Sequence, residues 1–459
     1  MALISSISGT RGTIGGAAGK NLTPIDVVKF ASAYGMWLLT KRDNNKVVIG
    51  RDARPSGEMV HSLVANTLVA LGFHVIDLGL STTPTVEMAV TDHKAAGGII
   101  LTASHNPVEW NALKLLNYKG EFVTRKDGDE ILNILKKEQY RFSQVQHLGK
   151  IEQVSNALDK HIFKILALPL VDAYSVGKVG LKIVVDGVNS SGSFAVPRLL
   201  EAMGINDIIV LNAEPTGWFA HNPEPLKQNL TEICEVVKRE KADLGIVVDP
   251  DVDRLVLIDE NGEMVSEEYT LVAIADYILQ RHKSPVVSNL SSSRALKDVA
   301  ERHGCRYYAS AVGEVNVTEI MKRHDALIGG EGNGGIIYPE LHYGRDALVG
   351  IALFLSHLTK SGKTCSALRA TYPDYFMSKQ KIELKESTNV STLFDAFKAQ
   401  NQGEKFNDVD GLKIDYANSW VHLRTSNTEP IMRIYTEAKT QAEADELANK
   451  VKETLMKLV

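Results

Sequence analysis

The sequence predicts a multidomain α/β protein: three successive α/β units of similar size, then a smaller C-terminal α+β domain. The chain has 459 residues, more than one ordinary hydrophobic core organises. Short apolar runs alternate with stretches of helical apolar spacing, which makes strand–helix–strand units with right-handed crossovers. From about residue 375 the rhythm changes to adjacent short strands closed by one helix, the pattern of an antiparallel sheet with helices on one side. The expected boundaries are 1–155, 156–264, 265–374 and 375–459.

In the first unit, Met1–Ile7 reads as a strand. Ile7–Gly16 carries four glycines around Arg11 and reads as a flexible loop whose backbone approaches a ligand closely. There Arg11 either grips a phosphate through its planar fork or sits on an ordinary surface loop. Thr23 and Pro24 are an N-cap and first helical residue, so a helix over 26–39 follows. Lys46–Gly50 is a strand with the polar exit Arg51–Gly57, His61–Gly72 a helix, Val75–Gly79 a strand, and Pro84 opens another helix. Ala96–Leu101 is a buried strand that delivers Thr102-Ala103-Ser104-His105-Asn106-Pro107. This succession predicts a mainly parallel sheet, with Ser104 on a loop at a strand's carboxyl end, where open α/β folds bind ligands. Asn111–Leu116 places Lys114 in an apolar stretch, Asp127–Lys137 is helical, and Arg141–Asp159 is polar and irregular.

The second unit has strands at Lys182–Gly187 and Ile208–Val210, a long loop over 214–225, and a helix Leu226–Lys241. Its strand Leu244–Val248 runs straight into Asp249-Pro250-Asp251-Val252-Asp253-Arg254, and Asn261-Gly262 makes a hairpin turn beyond. The third unit has a helix Tyr269–Arg281, a strand Pro285–Ser288, a polar turn Gly313–Asn316, and a short run at Ile328 emptying into Gly329–Gly335. Gly344-Arg345-Asp346 precedes a helix Ala347–Lys360. In the last domain Gly411–Ile414, Ser419–Arg424 and Ile431–Glu437 are strands and Gln441–Leu458 is the terminal helix.

With 44% hydrophobic and 23% charged residues the composition is that of a globular protein. A net charge of −5 argues against nonspecific nucleic-acid binding and leaves room for a local anion pocket. Cys234, Cys305 and Cys365 are odd in number and far apart, which suits inert thiols in a reducing compartment rather than disulfides or a zinc knuckle. No basic, apolar leader and no bilayer-length apolar run are apparent, so the expected location is cytoplasmic and no membrane partner is expected.

Three carboxylates at two-residue spacing after a buried strand either form a solvated acidic turn or converge on a cation, because together they repel. An all-oxygen set suits Mg²⁺ and not zinc. Arg254 offsets charge there or reaches a phosphate. Ser104 is a weak nucleophile without a base. His105 is its neighbour, and Lys114 has the better reach, provided its pKa is lowered. The loop Arg424–Pro430 offers a guanidinium, hydroxyls and an amide, which suits a phosphate and equally an ordinary polar hairpin. Gly330–Gly335 exposes Glu331 and Asn333 on a backbone free to bend; a carboxylate and an amide read sugar hydroxyls or an amine. That loop lacks Gly-Lys-Ser/Thr and is no P-loop. Together these groups imply phosphoryl transfer.

With Thr102–Pro107, Asp249–Arg254, Gly330–Gly335 and Arg424–Pro430 in that order, the whole chain resembles the α-D-phosphohexomutase superfamily. The resemblance implies three related α/β domains with mixed sheets and a smaller α+β phosphate-binding domain, arranged around a central cleft. It implies a phosphate on Ser104, given to a sugar monophosphate to form an enzyme-held 1,6-bisphosphate, which turns over and returns the other phosphate. It implies Mg²⁺ between that phosphate and Asp249, Asp251 and Asp253. Arg11 and Lys114 match proton-transfer positions, and His105 stays a candidate only as the neighbour of the serine. Glu331 and Asn333 match the sugar loop; Arg424, Ser426, Asn427 and Thr428, joined by Arg433, match the clamp for the non-reacting phosphate.

Several positions depart from the superfamily's usual pattern. Asn333 stands where many members have serine, Gly335 where some have histidine, and Thr425 and Asn427 where proline and glycine are usual. Ala112 replaces a frequent glycine before Lys114. Gly313–Val317, Gly329–Gly335 and Gly344–Asp346 look most like the phosphoglucosamine mutase or mixed-specificity branch. The expected reaction is glucosamine 6-phosphate ⇌ glucosamine 1-phosphate, with a mannose or glucose phosphate mutase as the runner-up. The rivals are a metal-dependent phosphatase and a non-catalytic sugar-phosphate binder. The expected partner is a small sugar phosphate, with no nucleic acid; a monomer and a homodimer both remain open. Domain closure over the two orientations of the intermediate is expected.

Overall fold

A computed structural model describes residues 3–6, 9–385, 389–425 and 431–457. The chain forms two compact units, one reaching to Thr270 and taking in Asn333–Arg369, the other made of Leu271–Gly332 and the residues from Ala370 onward. No helix among the described residues is long and apolar enough to cross a membrane.

The first unit opens with a seven-stranded sheet: β1 (Leu3–Ser6), β2 (Gly9–Thr13), β3 (Lys46–Arg51), β4 (His74–Leu80), β5 (Gly97–Leu101), β6 (Trp110–Leu116) and β7 (Lys150–Gln153), in the order β1-β2-β6-β5-β3-β4-β7. Val47 and Ile49 pack under the helices Pro24–Lys41 and Gly57–Ala70. Val48 faces the other way onto Val86, Ala89 and Val90 of the helix Thr83–Asp92. Both faces are covered, which is why β3 and β5 read as unbroken apolar runs.

The expectation of a mainly parallel sheet is corrected here. β4, β3, β5 and β7 pair in parallel, whereas β5–β6, β6–β2 and β2–β1 are antiparallel. The connection from β5 to β6 is too short for a crossover, and only an antiparallel return is open to it. The serine motif is that connection. The expected flexible loop around Arg11 is also corrected: Gly9–Thr13 is a strand, hydrogen-bonded to β1 on one side and β6 on the other. Backbone pairing holds it, so the glycine content misleads. β7 lies in the stretch expected to be irregular; every residue of it is exposed, and a short charged edge strand carries no apolar signal.

The second sheet holds β8 (Lys182–Asp186), β9 (Asp207–Leu211), β10 (Leu244–Val248), β11 (Leu255–Ile258) and β12 (Met264–Val265), ordered β12-β11-β10-β8-β9. The plan repeats: β10 runs parallel to β8, and β11 returns antiparallel directly after the aspartate motif. The expected helix Leu226–Lys241 is shorter, a 3₁₀ turn over Lys227–Asn229 followed by a helix Thr231–Glu240. At the break Leu230 leaves helical geometry and buries its side chain. The largely buried helix Ala347–Ser361 packs on the helices Ala157–Leu166, Ala173–Val179 and Gly192–Ala202.

In the other unit β13 (Val286–Asn289), β14 (Tyr307–Ser310) and β15 (Ile328–Glu331) are parallel, ordered β14-β13-β15; β16 (Gly335–Ile337) follows in the chain. The last sheet is antiparallel: β17 (Phe376–Glu383), β18 (Lys405–Asn407), β19 (Leu412–Asp415), β20 (Trp420–Thr425) and β21 (Ile431–Ala438), ordered β17-β21-β20-β19-β18. Leu393 and Phe397 of one helix and Val451 and Leu455 of another cover one face through Ile414, Val421 and Met432. Arg294 ties this sheet to β13–β15 by donating to the carbonyls of Tyr416, Ala417 and Ser419.

Candidate active site

Ser104 sits just past the end of β5, 6% exposed and at φ +49°, a left-handed conformation uncommon outside glycine. Fixed groups hold it there. Its N–H donates to Thr102 Oγ1 at 2.9 Å, and Thr102 Oγ1 donates to Asp52 Oδ2 at 2.6 Å. Arg54, 1% exposed, donates to the carbonyls of Ser104, Asn106, Pro107 and Trp110, while its Nε donates to Asp52 at 3.0 Å. One buried guanidinium thus collects four carbonyl oxygens along the loop and the start of β6. Removing one member of a buried ion pair costs about 3–5 kcal/mol. Arg54→Ala is therefore expected to unfold at clearly lower denaturant and to lose most turnover, while Arg54→Lys recovers part of the stability without restoring the four-carbonyl geometry; urea melts and initial rates check this.

Ser104 Oγ donates to Asp249 Oδ2 at 2.6 Å. Asp249, Asp251 and Asp253 are fully buried, and one ligand oxygen from each lies within 4.8 Å of the others. The loop folds back on its first carboxylate: the N–H groups of Asp253 and Arg254 both donate to Asp249 Oδ1 at 3.1 Å. Asp251 Oδ2 accepts from Thr83 Oγ1 at 2.6 Å and Lys114 Nζ at 2.7 Å, and Asp253 Oδ2 accepts from Arg345 at 2.6 Å. Asp251 Oδ1 and Asp253 Oδ1 are buried with no hydrogen-bond partner. Burial, then the charges of Asp253 and Asp251, push the Asp249 carboxyl well above its usual range. Orphaned oxygens in an all-oxygen set fit a hard divalent cation such as Mg²⁺. The second metal-competent group among the described residues is His161, His342 and Asp346.

Lys114 lies on β6, with Nζ also 3.5 Å from Asp253. Burial opposes its charge, yet Asp251 and Asp253 hold the ammonium well above the ordinary lysine range. The lowered value on which the sequence argument depended is thus reversed in this arrangement. Arg11 and Ala112 are direct partners on β2 and β6, so Arg11 and Lys114 share one sheet face. His105 Nδ1 stands 3.4 Å from Ser104 Oγ; burial and the Arg254 charge push its pKa well below the usual value. Arg254 is 8% exposed, with its Nε buried and unpaired, 3.9 Å from Asp253 Oδ1.

Glu331 is not exposed by its loop as expected. It ends β15 at 4% exposure, and Oε1 accepts from Asn289 Nδ2 at 2.9 Å and Gly313 N at 3.0 Å. Asn333 is half-buried and Oδ1 caps Gly335 N at 3.2 Å. Gly334 is at φ +86°, and a Cβ there would meet Leu255 O at 2.4 Å, so glycine is required where this loop crosses β11. Arg424 pairs with Asp410 at 2.8 Å and lies directly opposite Arg433 on β20–β21; two guanidiniums beside one carboxylate leave a net positive charge that a further anion would offset. Ser426, Asn427 and Thr428 lie outside the described residues.

Arg54, Thr83 and Arg345 escaped the sequence reading. The available signal was position: Asp52 and Arg54 follow β3, which neighbours β5 in the sheet, as directly as Ser104 follows β5.

Models of domains I, II and III and of the C-terminal domain of phosphoglucomutase/phosphomannomutase match residues 5–142, 159–262, 266–375 and 380–454. The chain belongs to the phosphoglucomutase/phosphomannomutase family. This α-D-phosphohexomutase is 35% identical to the phosphoglucomutase/phosphomannomutase of Thermococcus kodakarensis, over 95% of this chain and 96% of that one. It is 33% identical to a probable phosphoglucosamine mutase of Pyrococcus abyssi, over 94% of each. A crystal structure of a family member from Burkholderia thailandensis has the same fold, at TM-score 0.84 and 23% identity over 99% of this chain and 98% of that one. The phosphohexomutase has the family's four domains and phosphohexomutase-type catalysis.

Proposed function

We propose that this phosphohexomutase interconverts glucosamine 6-phosphate and glucosamine 1-phosphate through a phosphoserine at Ser104 and a hexosamine 1,6-bisphosphate. The observation that carries the reading is the 2.6 Å contact between Ser104 Oγ and the carboxylate of Asp249, at the edge of three buried aspartates that need a cation. The phosphoryl group on Ser104 passes to the free hydroxyl of the sugar phosphate. The P–O bond to Ser104 breaks as the bond to the sugar oxygen forms; the sugar hydroxyl proton goes to a base, and the departing Ser104 Oγ takes up a proton. After the bisphosphate reorients, Ser104 Oγ gives up its proton and accepts the other phosphoryl group as that P–O bond breaks, and the product oxygen is protonated. Arg11, Lys114 and His105 are the proposed proton-handling groups. Lys114, charged between Asp251 and Asp253, first neutralises the site. Asp249, Asp251 and Asp253 would hold Mg²⁺, which when bound neutralises charge on the transferring phosphoryl.

Arg254 offsets phosphate charge. Glu331 and Asn333 recognise the sugar, and Arg424 and Arg433, with Ser426, Asn427 and Thr428, hold the non-reacting phosphate. The opposed pair Arg424 and Arg433 supports an anion there. Several archaeal relatives at 31–33% identity are named probable phosphoglucosamine mutases. The 35% identical Thermococcus enzyme favours the second reading, a mannose or glucose phosphate mutase. One or two polar contacts at the sugar's second carbon separate the two.

The test compares kcat/KM for the 1-phosphates of glucosamine, N-acetylglucosamine, mannose and glucose, with Mg²⁺, a trace of the matching bisphosphate, and Ser104→Ala as control. Glucosamine 1-phosphate is expected to lead by at least roughly tenfold. A lead for mannose or glucose selects the second reading, and release of inorganic phosphate without isomerisation selects the phosphatase.

A further inference from the structure

Away from the aspartate loop, three ionisable side chains from two helices and one loop meet in the same unit. His161, 1% exposed, comes from the helix Ala157–Leu166. Asp346, 0% exposed, is the N-cap of the helix Ala347–Ser361, where its Oδ1 accepts from Leu348 N and Val349 N. That leaves Oδ2 for the two imidazoles: His161 Nε2 is 2.9 Å away and His342 Nε2 3.3 Å. The three ligand atoms lie within 4.8 Å of one another. Atoms bound about 2.0–2.1 Å from one metal stand about 2.9 Å apart in octahedral and about 3.4 Å apart in tetrahedral geometry, and both measured separations fall in that interval.

The other nitrogen of His161 has a hydrogen-bond partner, as histidines that bind metals require, whereas His342 Nδ1 is buried without one. His161 Nδ1 is 3.0 Å from Thr85 Oγ1, which is 2.7 Å from Thr82 Oγ1. With Thr85 Oγ1 donating to Nδ1, His161 Nε2–H donates to Asp346 Oδ2; a bound ion would replace that proton, and Nδ1–H would then donate to Thr85. His342 Nδ1 is 3.4 Å from Glu87 Oε2. Glu87 is 1% exposed and neither of its oxygens makes a hydrogen bond of good geometry. Gly344 makes room for it, since a Cβ there would come within 1.8 Å of Oε2. Burial pushes the Glu87 carboxyl up to about 7, and the His342 ring beside it opposes that shift, so a cation in this pocket would favour its ionised form.

The geometry points to a second metal site, in which His161 Nε2, His342 Nε2 and Asp346 Oδ2 bind one zinc-class divalent ion while Glu87 and Thr85 orient the imidazoles. Two imidazoles and one carboxylate select Zn²⁺, Co²⁺ or Ni²⁺ over Mg²⁺, so the chain would sort metals by donor type between the two sites. The competing occupant is a proton. Burial disfavours an imidazolium, but the Asp346 and Glu87 carboxylates on either side of the ring raise the His342 pKa to about 10, so the ion would have to displace a proton. A bound ion would clasp the helix Thr83–Asp92, the helix Ala157–Leu166 and the start of the helix Ala347–Ser361. Because Arg345 precedes Asp346 and grips Asp253, the clasp would also steady the aspartate loop.

The test titrates metal-free full-length protein with Co²⁺ under excess Mg²⁺ and reads the visible spectrum. The expected result is one equivalent of Co²⁺ with the intense bands of imidazole-ligated, low-coordinate cobalt, in the parent and equally in Asp251→Asn. The bands disappear in His161→Gln and in His342→Gln, whose side chain is partly exposed and which tests the site if His161→Gln fails to fold. Zn²⁺ in excess Mg²⁺ is expected to raise the melting temperature of the parent and not that of His342→Gln. Weak, six-coordinate oxygen-type spectra alone, bands that survive both histidine substitutions, or no Zn²⁺-dependent shift in the parent would each overturn the site and leave an imidazolium bridging Asp346 and Glu87.

Discussion

Ser104→Ala is expected to lose turnover on every hexose phosphate by roughly 10⁴-fold or more, because it removes the group proposed to carry the phosphate. That corresponds to about 5.4 kcal/mol at the transition state. The fold should survive. The loop is held by Thr102 through the Ser104 N–H and by Arg54 through its carbonyls, neither of which uses the hydroxyl. The lost hydrogen bond from Oγ to Asp249 costs about 1–3 kcal/mol where the carboxylate is left buried. Rate loss with a near-parental melt separates a phosphate carrier from a residue that only supports the loop.

The second large effect concerns the aspartate loop. A chelator is expected to reduce activity to background and added Mg²⁺ to restore it. Mg²⁺ at about 100 times its dissociation constant should stabilise the protein by about 2.7 kcal/mol, read as a rise in melting temperature. Asp249→Asn is expected to abolish both responses. Its amide can still accept from the N–H groups of Asp253 and Arg254 and can hydrogen-bond Ser104, so the loop keeps its geometry. It also removes one of three mutually repelling carboxylates. Without metal the variant is therefore expected to be at least as stable as the parent, while turnover falls by several kcal/mol of transition-state stabilisation, on the order of 10²–10³-fold. An Asp249→Asn enzyme that kept its activity and its Mg²⁺-dependent melt would remove the metal from this loop.

Ser104 and the three aspartates were legible in the sequence because each motif is continuous and follows a fully buried strand, Gly97–Leu101 or Leu244–Val248. Burial on both faces makes such strands conspicuous, and the polar break after them marks where the chain leaves the sheet. Groups that act through space were hidden. Arg54 reaches the serine loop across 50 residues, Arg345 reaches Asp253 across 92, and Thr83 reaches Asp251 across 168. Their own segments carry only the composition of ordinary loops.

Strand direction was hidden for another reason. Apolar periodicity reports burial and not polarity of pairing, so the antiparallel return at β6 shows only in the shortness of the connection that holds Ser104. Gly9–Thr13 misled because glycine permits a loop without requiring one, and pairing on both sides settles the matter. Glu331 was read as exposed from its glycine neighbours, yet it ends a buried strand and is held by Asn289. Local composition cannot report a partner that far away in sequence.

The most direct measurement locates the phosphate. Enzyme stripped of phosphate is incubated with glucose 1,6-bisphosphate labelled in both phosphoryl groups, quenched, digested and sequenced by tandem mass spectrometry, with and without a following chase of unlabelled hexose monophosphate. The account predicts one labelled phosphate per chain, on Ser104, that leaves during the chase and reappears in sugar bisphosphate and monophosphate. A label on another residue, or a labelled Ser104 that hexose monophosphate does not discharge, would contradict it.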